Sequence, residues 1–347
     1  MIALERLPVP DAAHDRAFMD VWIQDFGACA LSAADEVGLF AALADGELTT
    51  EALAARLTLD AAAVVATCRA LVAMDALVAT DTGFALSVSG RAFWWKESPC
   101  YRGREFHGHW DWDQHRRIVE ALHVGWAPLL DTDESFSDAW ARGEVSQESA
   151  RNFTRVMHSL ILVPSLAAVR SGAFSEVRHL VDVGGGSGAL AATLLSHRPE
   201  CRATVMDLAP VCETSKTILA GVESGAKVEY FPANFFADAW PLDADAFSLS
   251  NILHDWPLSR CREILKHAFA ALPAGGRVFV LEALLDADRC TPRMSVLFNL
   301  LMQINHRGQQ FTEQQLTNLL SEAGFSGARV VHAYSYWSLV TATKPAS

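Results

Sequence analysis

No pair of cysteines in this sequence has CxxC spacing, although seven cysteines are present, at positions 29, 68, 100, 201, 212, 261 and 290. That absence excludes the usual ligand pattern of a structural zinc site, and no metal is expected. The number is odd, and several of the seven fall in helical or strand patterns. This fits reduced thiols and a cytoplasmic location. Basic residues are also scarce: 28 Lys and Arg face 41 Asp and Glu, a formal net charge of −13. Such a balance argues against a nucleic-acid partner held through net charge. No charged-then-apolar leader opens the chain; Glu5, Asp11 and Asp15 lie where a signal peptide is apolar. The most apolar stretch, Leu160 to Val169, is interrupted by Pro164 and is too short to span a bilayer, so no membrane partner is expected. Internal repeats and low-complexity segments are missing too. What is there is a chain of 347 residues, 51% hydrophobic, long enough for two domains around a large core.

One stretch organises the rest: Leu180-Val181-Asp182-Val183-Gly184-Gly185-Gly186-Ser187-Gly188-Ala189-Leu190. An apolar run leads into four glycines and then into a helical pattern, which reads as strand, tight turn, helix. Glycine suits a turn where backbone bends sharply or approaches a ligand closely. The helix start behind it leaves free N–H groups. The spacing Gly184-x-Gly186-x-x-Ala189 also satisfies a loose dinucleotide pattern. A second short run, Ala203 to Met206, closes on Asp207, 19 residues after Gly188. This is close to the spacing at which a carboxylate accepts hydrogen bonds from ribose hydroxyls, so the crevice is expected to hold an adenosine-like ligand.

From Leu180 onward strands and helices alternate, as in a parallel sheet. The strands read as 180–183, 203–206, 228–231, 246–250, 277–282, and 329–332 with 337–343. The helices read as 189–197, 210–222, 259–271 and 312–323. The fold class is thus α/β and Rossmann-like, with a mostly helical N-terminal part. In that part Ala17 to Ala44 is a long apolar helical pattern, expected to break at Gly27 and Gly38 into two helices. A helix apolar around most of its circumference is buried on several sides, in a core or at the interface of an interlocked dimer. Two helices follow, with Thr49 or Thr50 and Asp60 as caps, and then a hairpin over Leu77 to Leu86. This order is a winged-helix pattern. Its would-be recognition helix holds one arginine, Arg69, too little charge for several phosphates.

Residues 91 to 126 are crowded with aromatics, and His107, His109 and His115 are interleaved with them. Packing or stacking on an aromatic ligand is the ordinary reading of such a segment. A helix from Gln147 to Ala168 follows, with Phe153, Met157, Leu160 and Ile161 on one face. The segments are 1–100, helical and dimerising; 101–170, a helical linker with substrate-pocket residues; and 171–347, the sheet domain. The fourth strand runs into Ser250-Asn251-Ile252-Leu253-His254-Asp255-Trp256. A histidine at the carboxyl edge of such a sheet faces the same crevice as the glycine loop and suits proton removal at neutral pH. Glu282, ending the fifth strand on the same edge, is placed to hold that imidazole by one nitrogen.

Together, Val181 to Gly188, Met206-Asp207-Leu208-Ala209-Pro210, Ser250 to Trp256 and Leu272-Pro273-Ala274-Gly275-Gly276 resemble the S-adenosylmethionine (SAM)-dependent O-methyltransferases of the plant caffeate and animal acetylserotonin type. Phe298-Asn299-Leu300-Leu301-Met302 and Gly308-Gln309-Gln310-Phe311-Thr312 resemble that family's final substrate-binding segment. The resemblance covers nearly the whole chain and implies a winged-helix dimerisation domain, a homodimer, and SAM as cofactor. It places Asp182, Gly184, Gly186, Asp207, Leu208, Asn234, Phe235 and Ser250 at the cofactor. It gives His254 the role of base, steered by Glu282, with Gln310 beside them. Phe153, Met157, Asp255, Trp256, Leu301, Met302 and Asn305 fall on positions lining the pocket of a small aromatic acceptor.

Three positions depart from the family pattern. Asn234 stands where an aspartate is usual, Ser250 where the plant enzymes carry lysine, and Gln310 where a second carboxylate often flanks the histidine. The implied reaction is O-methylation of a phenolic or enolic aromatic small molecule. The departures leave open N- or C-methylation and a non-methylating reaction on the same scaffold: cyclisation, hydroxylation or decarboxylation. A nicotinamide oxidoreductase and a ligand-sensing regulator are the further alternatives.

Overall fold

The computed structural model describes residues 1–126 and 136–346. Its contacts divide the chain into two compact units. One gathers Met1–Arg16, Ser137–Leu284 and Glu313–Ser347, the other Ala17–Phe136 and Leu285–Thr312.

The first unit is built on a seven-stranded sheet. Its strands are β3 (His179–Val183), β4 (Arg202–Asp207), β5 (Glu229–Pro232), β6 (Ala246–Ser250), β7 (Arg277–Ala283), β8 (Ser326–Tyr334) and β9 (Trp337–Thr343). Their order across the sheet is β5-β4-β3-β6-β7-β9-β8. The five from β3 to β7 run parallel, and β9 and β8 close the edge antiparallel. The chain leaves β3 on one side through β4 and β5, then returns to place β6 on its other side. That reversal opens a crevice at the carboxyl ends of β3 and β6, where open α/β sheets bind ligands. The central strands are buried along almost their whole length because helices cover both faces. Val181, Val183, Phe247, Val278 and Val280 are all buried.

The strands and helices expected after Leu180 are present. The second of those helices differs in length: it ends at Leu219, and a 3₁₀ turn, Ser224–Lys227, follows. Two local breaks expected from sequence do not occur. Pro164 lies inside one continuous helix, Gln147–Arg170, so the apolar stretch around it is part of a 24-residue element. That helix is, among the described residues, the one long and apolar enough to cross a membrane by length and composition. It packs on the Ala189–His197 and Ala209–Leu219 helices of the sheet unit. Gly27 likewise lies inside an unbroken helix, Ala12–Glu36. Glycine is used there for closeness: a Cβ on Gly27 would stand 2.6 Å from Met74 Sδ and 3.2 Å from Leu297 Cδ1. Gly38 does mark an end, with φ +79° before the short Leu39–Ala42 helix.

In the second unit Thr49 Oγ1 caps the Thr50–Leu57 helix by accepting from Ala52 N at 3.2 Å, and Asp60 caps Ala61–Ala73 by accepting from Ala63 N at 2.9 Å. The hairpin β1 (Leu77–Ala79) and β2 (Phe84–Leu86) follows, in the register Leu77↔Leu86. The Arg293–His306 helix belongs to this unit although it lies late in the chain. It packs on Ala61–Ala73, and Arg293 Nε donates to Ala73 O at 2.7 Å. Buried residues surround most of its circumference, from Met294 to Ile304, so it needs neighbours on several sides. The aromatic segment packs by ring contacts, among them Phe106 on His109 and His107 on Trp110. His115 Nε2 lies 2.6 Å from Glu36 Oε2, and Tyr101 Oη donates to Asp35 at 2.7 Å.

Candidate active site

The carboxyl edge of the parallel strands carries most of the expected residues. After β3 the backbone enters the left-handed region at Gly184, with φ +63°, and again at Gly186 and Gly188. Gly184 N donates to Met206 O at 2.8 Å, which stitches the turn to β4. A Cβ at Gly184 would lie 2.3 Å from Ile252 Cδ1. Gly184→Ala is therefore expected to destabilise the protein by about 1–3 kcal/mol through φ strain and the clash. A thermal unfolding midpoint equal to wild type would show that the loop absorbs the methyl group.

Asp207 ends β4 beside this loop. Its Oδ2 accepts from Gly186 N at 2.9 Å and its Oδ1 from Leu208 N at 2.7 Å. Each oxygen retains a lone pair. Burial pushes the carboxyl up to about 6, against the pull of the two N–H groups. Asp182 lies under the loop and opposite Ser248, whose hydroxyl donates to Asp182 Oδ1 at 2.6 Å. Burial, with a smaller contribution from the Asp207 charge, pushes Asp182 up to about 7.

Beyond β5, both ends of the Asn234 amide are engaged. Nδ2 donates to Ala141 O at 2.7 Å, and Oδ1 accepts from Phe236 N at 3.0 Å. Asn234 thus anchors the Phe136–Arg142 helix. Phe235 meets Trp256 edge-on, with ring centroids 6.1 Å apart. The Phe153 ring lies 5.2 Å from that of Trp140. Phe153 and Met157 ride on the Gln147–Arg170 helix.

At the end of β6, Ser250 Oγ is buried and has no hydrogen-bond partner among the described residues. The chain then turns sharply at Asn251, φ +52°. Asn251 N donates to Leu281 O at 3.0 Å, and its Oδ1 accepts from Trp337 Nε1 at 3.0 Å. A 3₁₀ turn, Leu253–Asp255, presents His254. Cys261 Sγ braces this turn by reaching Leu253 O and Trp256 O.

His254 is 1% exposed and Glu282 is fully buried. His254 Nδ1 lies 3.0 Å from Glu282 Oε2, and His254 N donates to Glu282 Oε1 at 3.3 Å. A carboxylate only accepts, so a proton lying between the two groups sits on Nδ1. Asp255 Oδ1 is 3.5 Å from Nε2.

Leu301, Met302, Asn305 and Gln310 belong to the second unit. The first three lie on the Arg293–His306 helix, where Asn305 Oδ1 accepts from Arg117 Nη1 at 2.7 Å. Gln310 is buried, and its backbone N donates to Asn299 Oδ1 at 2.9 Å. Two features of the first unit escaped the sequence reading. One is the Asn251–Trp337 bond. The other is His158, whose Nδ1 lies 2.9 Å from Ser187 Oγ in the glycine loop. The only sequence signal for His158 is its place beside Met157 on the same helix.

A family model described as an O-methyltransferase domain matches residues 132–326. The chain is 32% identical over 305 residues to 3-hydroxy-5-methyl-1-naphthoate 3-O-methyltransferase of Streptomyces sahachiroi, covering 87% of this chain and 86% of that one. In structure it resembles an O-methyltransferase family 2 protein from Planctomyces limnophilus in complex with apigenin. The TM-score is 0.82, the identity 22%, and 99% of each chain is covered. It also resembles human N-acetylserotonin methyltransferase in complex with SAM, with TM-score 0.59, 24% identity, and 97% and 99% of the two chains covered. At these identities the two structures speak for the fold.

Proposed function

The chain belongs to the O-methyltransferase family and is a SAM-dependent O-methyltransferase, and from that premise we propose that it methylates a hydroxyl of a phenolic or enolic aromatic small molecule, with His254 as general base. The observation that carries this reading is the buried His254–Glu282 pair at 3.0 Å, on the same sheet edge as the glycine loop.

The edge fits the cofactor on its own geometry. Asp207 keeps a free lone pair on each oxygen for two ribose hydroxyls, beside a turn whose backbone is left-handed at Gly184, Gly186 and Gly188. Asp207, Leu208, Gly184, Gly186 and Phe235 would hold SAM, with Asp182 supporting the loop from beneath. When bound, SAM supplies an electrophilic methyl group on a sulfonium. The protein's own task is to bring the acceptor oxygen into line with that methyl, exclude water and remove a proton. Alignment of this kind supplies the larger share of the acceleration. His254 Nε2 takes the acceptor's hydroxyl proton, and Glu282 stabilises the resulting imidazolium through Nδ1–H. Phe153, Met157, Asp255 and Trp256 are the acceptor-side residues of the first unit in this reading, and Leu301, Met302 and Asn305 of the second unit are acceptor candidates by resemblance alone.

The working form is a homodimer in the cytoplasm. Support comes from Phe18 and Val21 on the Ala12–Glu36 helix, each 70% exposed in the single chain, and from seven free thiols.

Incubation with methyl-labelled SAM and a panel containing a hydroxynaphthoate and apigenin tests the reaction. Label is expected in an aryl methyl ether. Acceptor consumed without incorporation of label would overturn it, as would label on nitrogen or carbon.

A further inference from the structure

We propose that His158 is part of the cofactor site and donates an imidazole N–H to the carboxylate at the amino-acid end of SAM. The proposal rests on the cofactor reading above. It concerns a residue outside the sequence-predicted site.

His158 projects from the Gln147–Arg170 helix onto the glycine loop, where its Nδ1 lies 2.9 Å from Ser187 Oγ. Ser187 is itself buried, between Gly186, whose N–H is committed to Asp207, and Gly188. Ring and hydroxyl therefore fix one another. The ring is half-buried, and among the described residues Nε2 has no protein partner. Burial lowers the imidazole's proton affinity, so the neutral form prevails. With Ser187 donating to Nδ1, the proton sits on Nε2, which is then a donor in need of an acceptor.

Strand order says which part of the ligand comes here. Along the carboxyl edge the strands run β5, β4, β3, β6. The ribose is held at Asp207, the end of β4. Asn234 and Phe235, after β5, lie on the adenine side. His254, after β6, lies on the methyl side. The loop after β3 falls between ribose and base, where the amino-acid chain of SAM leaves the sulfur. The acids nearest the loop, Asp182 and Asp207, repel a carboxylate, so its binding there calls for donors. A neutral N–H supplies one without making an ion pair with those acids. A hydrogen bond to a charged group is also stronger than one between neutral partners.

Truncated ligand separates this role from a merely structural tether. Calorimetry is performed on the full-length protein with S-adenosylhomocysteine and with 5′-methylthioadenosine, which keeps the nucleoside and sulfur but lacks the amino acid. His158→Phe is expected to weaken S-adenosylhomocysteine by about 10- to 100-fold and leave 5′-methylthioadenosine within about twofold. His158→Gln, which restores an N–H donor, is expected to recover most of that loss. Equal weakening of both ligands would overturn the proposal by reducing His158 to a loop support, and so would no weakening of either. Failure of the wild-type protein to bind either ligand would instead sink the cofactor reading, and this proposal with it.

Discussion

Replacing His254 with glutamine is expected to lower kcat for methyl transfer by about 10²- to 10⁴-fold, the range set by loss of a positioned general base. Affinity for SAM should stay within about twofold, because the proposed holds on the cofactor are Asp207 and the loop. Glutamine is the informative choice. Its amide can still donate to Glu282, so the buried carboxylate keeps a partner in place of the 3.0 Å contact to Nδ1. What disappears is the nitrogen lone pair that accepts the acceptor's proton. A phenol with a pKa near ~10 is mostly protonated at neutral pH, so removing its proton is part of the barrier. The loss should shrink as the assay pH rises toward the phenol's own pKa, since solvent then does the work of the base. Unchanged turnover at neutral pH, with unchanged SAM binding, would remove His254 from the reaction. The family assignment would survive that result.

The parts of this molecule that were legible in the sequence are those set by short-range rules. Apolar runs punctuated by glycine and proline located every strand from β3 to β7. The caps Thr49 and Asp60 were readable because a side chain satisfying a helix N–H three residues on is a local event. Asp207, His254 and Glu282 were readable because a parallel sheet sends all its strand ends to one edge. The failures share a cause of the opposite kind. Gly27 and Pro164 look like breaks, yet tertiary packing carries each helix through them; at Gly27 the neighbours are Met74 and Leu297. The attachment of Arg293–His306 to the N-terminal helices depends on a partner some 220 residues away in sequence, Ala73. His158 meets Ser187 across 29 residues, and Asn251 meets Trp337 across 86. No local pattern encodes such pairs. The Asn234 amide adds a chemical point. Its Nδ2 is spent on Ala141 O, a carbonyl that a carboxylate at this position would repel, while Oδ1 keeps a lone pair beyond its bond from Phe236 N.

Asp207→Ala should weaken SAM binding by about 10²- to 10⁴-fold, on the basis of two charge-assisted hydrogen bonds at roughly 1.5–3 kcal/mol each. The same change strips a partner from Gly186 N and Leu208 N, so part of the loss is local disorder of the loop. The pH dependence isolates the charge. Burial holds the free protein's Asp207 near 6, well above the ordinary 3.8, and bound ribose hydroxyls favour the ionised form. Affinity for SAM is therefore expected to fall as pH drops through about 6, and this slope should vanish in Asp207→Ala. Stability of the free protein has the opposite sign. A carboxyl whose folded value lies above its unfolded value binds more protons when folded, so its contribution is fullest below 3.8 and is lost as pH rises through about 6. Asp182, raised to about 7, adds to the same trend over a slightly higher window. These two groups thus weaken the empty protein in the pH range where Asp207 is expected to bind ligand best. The rise in thermal midpoint on adding saturating SAM should consequently be larger at pH 8 than at pH 5. An equal rise at both values would show that Asp207 is already ionised at pH 5, or that it does not touch the ribose. Titrating Asp207→Ala for residual affinity and pH slope tells those two cases apart.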